Sequence, residues 1–334
     1  MTGQGRGARL LAAARLAAAL LVAGAGGLAG AGCEQPPGGG LAATWTMRAA
    51  IAGGGRLEAG VVALDGLVYV IGGFDGTGAV VPRVEAYDPG TDSWRTRAPL
   101  PRALHHVNVA ALGGRIYVLG GLATDAFTAV GDSFAYDPAA DAWTPVAGLP
   151  AGTERGAAAV AVLDGLIYLA GGSRVIVVDE VSRYDPVTDA WTALPALPSP
   201  RYHAASAAAG GRIWVVGGLA DLLQFTPFAD VLSLTPGAAT WTAHTPMPTP
   251  RGGCAAGIVA GELLCAGGED DGPSVLAVTE AYDLAADRWR ALPGMGVPRA
   301  GTAGAVVDDV LYVPGGARIL RQFPTDVLES LTLR

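Results

Sequence analysis

Six times along the chain a Gly-Gly pair closes an apolar run, and about 20 residues later a Trp follows. The doublets are Gly72-Gly73, Gly120-Gly121, Gly171-Gly172, Gly217-Gly218, Gly267-Gly268 and Gly315-Gly316, separated by 48, 51, 46, 50 and 48 residues. Trp94, Trp143, Trp191, Trp241 and Trp289 keep step with the first five. A period near 50 residues made of short strands and turn signals predicts a β-propeller, with one four-stranded antiparallel sheet per period. Units that expose apolar faces need neighbours to bury them, so the 334 residues read as one closed domain rather than two. The 50 Gly and 23 Pro recur with the period and mark turns, not low complexity.

Residues 155–191 show the unit. Ala157 to Leu163 and Leu166 to Ala170 flank Asp164-Gly165, a pair suited to the positive φ angles of a tight hairpin. Both runs are almost continuously apolar, as expected of inner strands covered on two faces. Gly171-Gly172 releases the chain where a side chain would collide. A third strand carries Val181 to Tyr184, Asp185-Pro186 turns the corner, and the outer strand holds Trp191. Asp65-Gly66 and Gly113-Gly114 repeat the first turn; Tyr87-Asp88-Pro89, Tyr136-Asp137-Pro138 and Tyr282-Asp283 repeat the corner.

An apolar strand ending in Gly-Gly, a Glu shortly before Tyr-Asp-Pro, and a Trp after that Tyr resemble the Kelch repeat, from about residue 45 to the C-terminus. The fourth unit departs with Leu234-Thr235-Pro236 at the corner and Trp214 where other second strands carry Tyr69, Tyr117, Tyr168 and Tyr312; the fifth has Leu264 there. After Gly315-Gly316 only one strand-like segment remains, Asp326 to Leu333. Trp45-Thr46-Met47-Arg48 has the Trp-Thr start of the outer strands at Trp143, Trp191 and Trp241 but no preceding strands, and is expected to complete the sixth blade.

Residues 1–32 carry Arg6, Arg9 and Arg15, no acid, and an Ala/Leu-rich run from Leu16 to Val22, which reads as a secretory signal. Cys33 and the Gly/Pro-rich stretch after it resemble a lipoprotein cysteine with a tether over 33–43, ahead of a propeller over 44–334. Gly30 stands where that family prefers an aliphatic residue, and Ala29-Gly30-Ala31 also suits an ordinary signal peptidase, which leaves a lipidated envelope protein or a soluble periplasmic or secreted one. Removing three arginines from 22 leaves 19 cations against 30 acids, a net −11. That charge argues against nucleic acid or an anionic membrane surface as partner, leaving membrane association to a lipid at Cys33. There is no Lys, which excludes a Schiff base and a phosphate-binding P-loop.

Arg56, Arg102, Arg155, Arg201, Arg251 and Arg299 precede the inner strands, and six-fold repetition predicts a ring of side chains at one end of the central channel. The Kelch resemblance implies a recognition face there, with Phe74, Asp75, Tyr202, His203 and Glu269 beside the arginines, for a protein or a small acidic ligand. An Arg present in every blade also suits a structural role, paired with an acid or with backbone carbonyls at a blade joint. His105, His106, Tyr202 and His203 break the symmetry and are the more informative positions. Four His and three Cys are too scattered for a recognised zinc pattern, so no metal, cofactor or catalytic residue is assigned. The ligand set of the Kelch copper radical oxidases is likewise not matched. Cys254 and Cys265 are placed as diagonal neighbours with Ala256 opposite Cys265, a spacing of roughly 7 Å that is long for a disulfide unless the hairpin distorts. Export permits oxidation and the geometry suits two buried thiols at least as well, so the pairing stays open. The leading reading is an exported, monomeric, non-enzymatic binding or scaffold propeller. The alternative, implied by the same resemblance, is an N-acetylneuraminate mutarotase-like enzyme using Arg, His203 and Glu269 as acid and base.

Overall fold

The computed structural model describes residues 41–334 apart from Asp125, Leu320 and Arg321. The leader, Cys33 and the tether lie outside the described residues, except for the last three tether positions. Six four-stranded antiparallel sheets are formed, each running from an inner strand at the channel to an outer strand at the rim. Blade one comprises Gly60–Leu64, Leu67–Ile71, Val84–Asp88 and Ser93–Arg97. Blade three comprises Ala159–Leu163, Leu166–Ala170, Val181–Asp185 and Ala190–Leu194. Its inner strand starts two residues later than the apolar run, because Ala157 adopts φ 55° and turns the chain.

The sixth blade is completed as the Trp-Thr signature predicts. Its own strands, Ala305–Val307, Val310–Pro314 and Leu328–Leu333, receive Ala43–Arg48 as the outer member, in register from Ala43 opposite Leu333 to Arg48 opposite Leu328. Apolar clusters then fill every joint. Tyr69, Ile71, Ile116 and Val118 pack between blades one and two, and Val61, Val68, Ala305 and Tyr312 between blades one and six. No blade buries its faces alone.

Two devices lock neighbouring blades. At the inner edge, the second glycine of the doublet donates to the next blade's backbone, Gly73 N to Leu104 O at 2.8 Å and Gly172 N to Arg201 O at 2.8 Å. A Cβ on Gly72 would lie 2.3 Å from Leu104 O, so the joint requires glycine. At the rim, the indole N–H of Trp94, Trp143, Trp191 and Trp289 donates to a carbonyl of the preceding blade's exit: Ala49, Ala98, Ala147 and Thr245. The N–H groups of the same four residues are accepted by Asp92, Asp141, Asp189 and Asp287, each of which also takes the hydroxyl of the corner tyrosine five residues earlier. Tyr, Asp and Trp of the repeat are thus one pin. In blade four Leu234 and Ala239 replace the first two members, and Trp241 alone holds Pro195 O.

The second blade is the irregular one. Its middle strands Arg115–Ala123 and Thr128–Asp137 run on past Gly120-Gly121 as a long hairpin, with a register shift between Val130 and Ser133. The tip of that hairpin reaches the mouth of the channel.

Excising residues 41–50 should lower the melting temperature of the whole domain in a single transition; an unchanged melting curve would refute closure by this strand. The pins predict a pH dependence as well. Tyrosine hydroxyls and backbone N–H groups hold Asp92, Asp189 and Asp287 below the usual carboxylate range, and Asp141 is held down by the Ala98 N–H and the Tyr136 hydroxyl. The stability they add is present above the unfolded value of about 3.9 and is lost as pH falls through the folded values. Wild type should therefore lose melting temperature faster below about pH 4 than a variant with Tyr87, Tyr136, Tyr184 and Tyr282 changed to Phe. Parallel pH slopes would show that the pins carry no such term.

Candidate functional site: a collar at the channel mouth

The predicted ring of six arginines does not form. Arg56, Arg155, Arg201, Arg251 and Arg299 are buried and turned into their blades, away from the channel. Arg56 pairs with Glu85 and donates to Gly72 O; Arg251 pairs with Glu280 at 2.5 Å and donates to Cys265 O; Arg299 pairs with Glu329 at 2.5 Å and donates to Val313 O. Arg201 uses Asp230 at 2.8 Å, and Arg155 uses Ser182 Oγ with Glu180 at 3.8 Å. Each guanidinium ties the start of the inner strand to the second strand and to an acceptor on or beside the third. Arg102 is not a member. In blade two the residue that receives the Gly73 N–H is Leu104, two positions later, and Arg102 lies at the surface paired with Asp132.

Counting from the true repeat position exposes a second ring, two residues on: Glu58, His106, Ala157, His203, Gly253 and Gly301. All six have φ between 52° and 66°. They are joined by backbone hydrogen bonds, His106 N to Glu58 O, Ala157 N to His106 O, His203 N to Ala157 O, Gly253 N to His203 O and Glu58 N to Gly301 O, at 2.8 to 3.1 Å. This collar frames a cavity of about 200 Å³ at the mouth of the channel. Deeper down the walls are apolar and small, with Val61, Val109, Val160, Ala256 and Gly304.

Three collar positions carry titratable side chains, and the other three are Ala157, Gly253 and Gly301. Glu58 Oε2 lies 3.4 Å from His106 Nε2 and 3.3 Å from His203 Nε2. Glu269 Oε1 lies 3.5 Å from His203 Nδ1. The rings of His106 and His203 are near parallel with centroids 5.0 Å apart. His105 bridges outward, with Nδ1 2.5 Å from His106 Nδ1 and Nε2 3.0 Å from Thr124 O at the base of the blade-two hairpin. Burial opposes the Glu58 charge, yet the facing His106 and His203 hold its carboxyl far below the usual range. Burial likewise opposes an imidazolium at His203, and Glu58 with Glu269 override it, raising His203 to about 10. His105 is pushed down by burial.

The remaining predicted residues have distinct places. Tyr202 is buried, its ring 4.6 Å from His203 and its hydroxyl donating to Asp221 O. Phe74 packs tilted against His105 with ring centroids 4.3 Å apart, and Phe127 from the hairpin tip meets His105 edge-on at 4.9 Å. Asp75 is spent on its own turn, accepting from Thr77 and Ala79. Glu269 reaches the collar because its backbone pairs with Gly252, next to the side-chain-free Gly253. The residue missed from the sequence is Glu58, for which alignment of the positions two after each true repeat position was the available signal. Cys254 and Cys265, whose pairing the sequence left open, form a disulfide with Cα atoms 5.7 Å apart. Ala256 does face Cys265, but the twist of the hairpin shortens the diagonal between the cysteines.

The Kelch motif family matches residues 55–101, 154–198 and 250–296, which are blades one, three and five with their arginines. The unmatched blades are the three with departures: Leu104 in blade two, Leu234 in blade four, and the borrowed outer strand of blade six. Kelch-like protein terF of Aspergillus terreus is 34% identical over 281 residues, covering 79% of this chain and 61% of that protein. Kelch-like protein 35 of Mus musculus is 42% identical over 71 residues and beta-scruin of Limulus polyphemus 39% over 69, covering 12% and 8% of those proteins. The chain thus spans less than two thirds of the length of these curated relatives. Among solved structures, that of YjhT superposes with a TM-score of 0.70 over 84% of this chain and 97% of its own, at 16% identity, a likeness of fold.

The two classes of arginine differ in expected consequence. Arg251→Met leaves Glu280 buried without its cation and should destabilise the domain by about 3–5 kcal/mol, whereas Arg102→Met removes a surface pair and should change stability by less than about 1 kcal/mol; equal effects in thermal or denaturant unfolding would contradict the assignment. With the repeat position corrected in blade two and the arginines placed in the blade joints, the chain is a six-bladed β-propeller that carries Kelch motifs in blades one, three and five.

Proposed function

We propose that this propeller is a protein-binding module that docks its partner on the face bearing the collar. The carrying observation is a one-sided distribution of apolar surface. Among the described residues ten large apolar side chains are exposed, and seven of them, Phe127, Val175, Ile176, Leu222, Leu223, Ile319 and Phe323, stand on the loops between second and third strands. Those loops share one face in every blade. Val175 at 88%, Leu223 at 87% and Phe323 at 64% exposure stand on blades three, four and six. Exposed apolar side chains grouped in this way are the usual basis of a protein contact, with polar groups giving it specificity. The Kelch relatives fit a scaffold role of this kind. Export, with or without a lipid at Cys33, belongs to the same proposal and rests on the leader sequence alone.

Anomer exchange on an acidic sugar is a second reading. His203 held between Glu58 and Glu269 at a cavity mouth favours it, since mutarotation needs only an acid and a base near the anomeric oxygen. The five buried arginines are committed to their blades, which leaves the acidic group of such a sugar without the cationic ring expected of it.

Chemical cross-linking in the native host, comparing wild type with Val175→Asp/Leu223→Asp and with Val187→Asp on the opposite face, separates these readings. The docking proposal expects one partner recovered with wild type and Val187→Asp and reduced at least about tenfold with the double variant. Equal recovery by all three overturns it, and acceleration of sialic acid anomer exchange in an NMR assay, abolished by His203→Ala, would establish the second reading instead.

A further inference from the structure

Glu58, His106 and His203 offer one donor atom each, and these three atoms lie within 4.8 Å of one another. We propose that they bind a divalent transition-metal ion of the zinc class at the mouth of the channel, independently of any protein docked on the rim. A tetrahedral ion with bonds of about 2.05 Å has ligand atoms about 3.3 Å apart. The two measured edges, Glu58 Oε2 to His106 Nε2 at 3.4 Å and Glu58 Oε2 to His203 Nε2 at 3.3 Å, have that length. Two imidazoles and one carboxylate are a zinc ligand set that leaves a fourth position open.

The same groups pair with one another as ions, and the groups behind them are placed to orient coordinating rings. His203 has a side chain 9% exposed, and neither ring nitrogen makes an aligned hydrogen bond within the protein. Its Nδ1 is instead backed at 3.5 Å by Glu269, and His106 Nδ1 is backed by His105, itself oriented by Thr124 O. Groups of this kind behind a coordinating histidine fix its ring and tautomer. Two carboxylates and two neutral imidazoles balance an ion of charge +2 in a buried site. The other three collar positions are Ala157, Gly253 and Gly301. They leave the fourth coordination position facing the cavity, where water or a ligand group can reach the ion.

The test uses tag-free full-length protein stripped with a chelator and titrated with ZnSO4 by calorimetry, and with Co2+ followed by its visible absorption. One equivalent of Zn2+ and a tetrahedral Co2+ spectrum are expected. Glu58→Gln and His203→Ala should abolish the Co2+ spectrum, Glu269→Gln should weaken binding about 10- to 100-fold, and His244→Ala, outside the collar, should bind as wild type. Unchanged circular dichroism and melting of the metal-free Glu269→Gln variant guard against a folding defect. Absence of heat and spectrum in wild type, or binding retained in a His106→Ala/His203→Ala variant of intact fold, overturns the proposal.

Discussion

The ladder between Ala43–Arg48 and Leu328–Leu333 turns five blades and a fragment into a ring, and the other contacts draw their strength from that closure. Each sheet is apolar on both faces and is buried only by its neighbours, so a gap at one joint would expose two faces at once. Closure also removes the unpaired edges on which the last strand would otherwise end. The six joints are equivalent in kind: side chains interlock in the middle, the glycine doublet touches the next backbone near the channel, and an indole reaches the preceding blade at the rim.

That equivalence explains what was legible from the amino-acid order. Gly-Gly, Tyr-Asp and Trp recur because each makes the same contact in blade after blade, and the closing strand could be placed because Trp45 repeats the rim contact, donating to Pro293 O. The arginines were visible for the same reason, yet their direction was not. A conserved spacing says that a side chain does the same thing in each unit; it does not say whether it faces the channel or the joint. Blade two misled because Arg102 stands two residues before Leu104, and an apolar residue at the repeat position carries no signature of its own.

The site was legible in part. His105, His106 and His203 stood out as departures from repetition, and Glu269 as a residue after a doublet. Their convergence was not readable, since the collar joins residues as far apart as Glu58 and His203 through backbone hydrogen bonds between blades that exist only once the blades are packed side by side. The disulfide shows the same limit at short range. Register placed the cysteines on one face correctly, but strand twist, a property of the whole sheet, decided their separation.

In the collar, the left-handed backbone and the hydrogen bonds from slot to slot belong to the main chain, and they are kept whether a slot holds Glu, His, Ala or Gly. The mouth is therefore a frame of six places with one backbone conformation, of which three, Glu58, His106 and His203, carry long polar side chains. The chemistry at the mouth is set by which places carry a side chain, within a limit the frame itself imposes: a Cβ at Gly301 would come within 2.6 Å of Glu58 and Leu57.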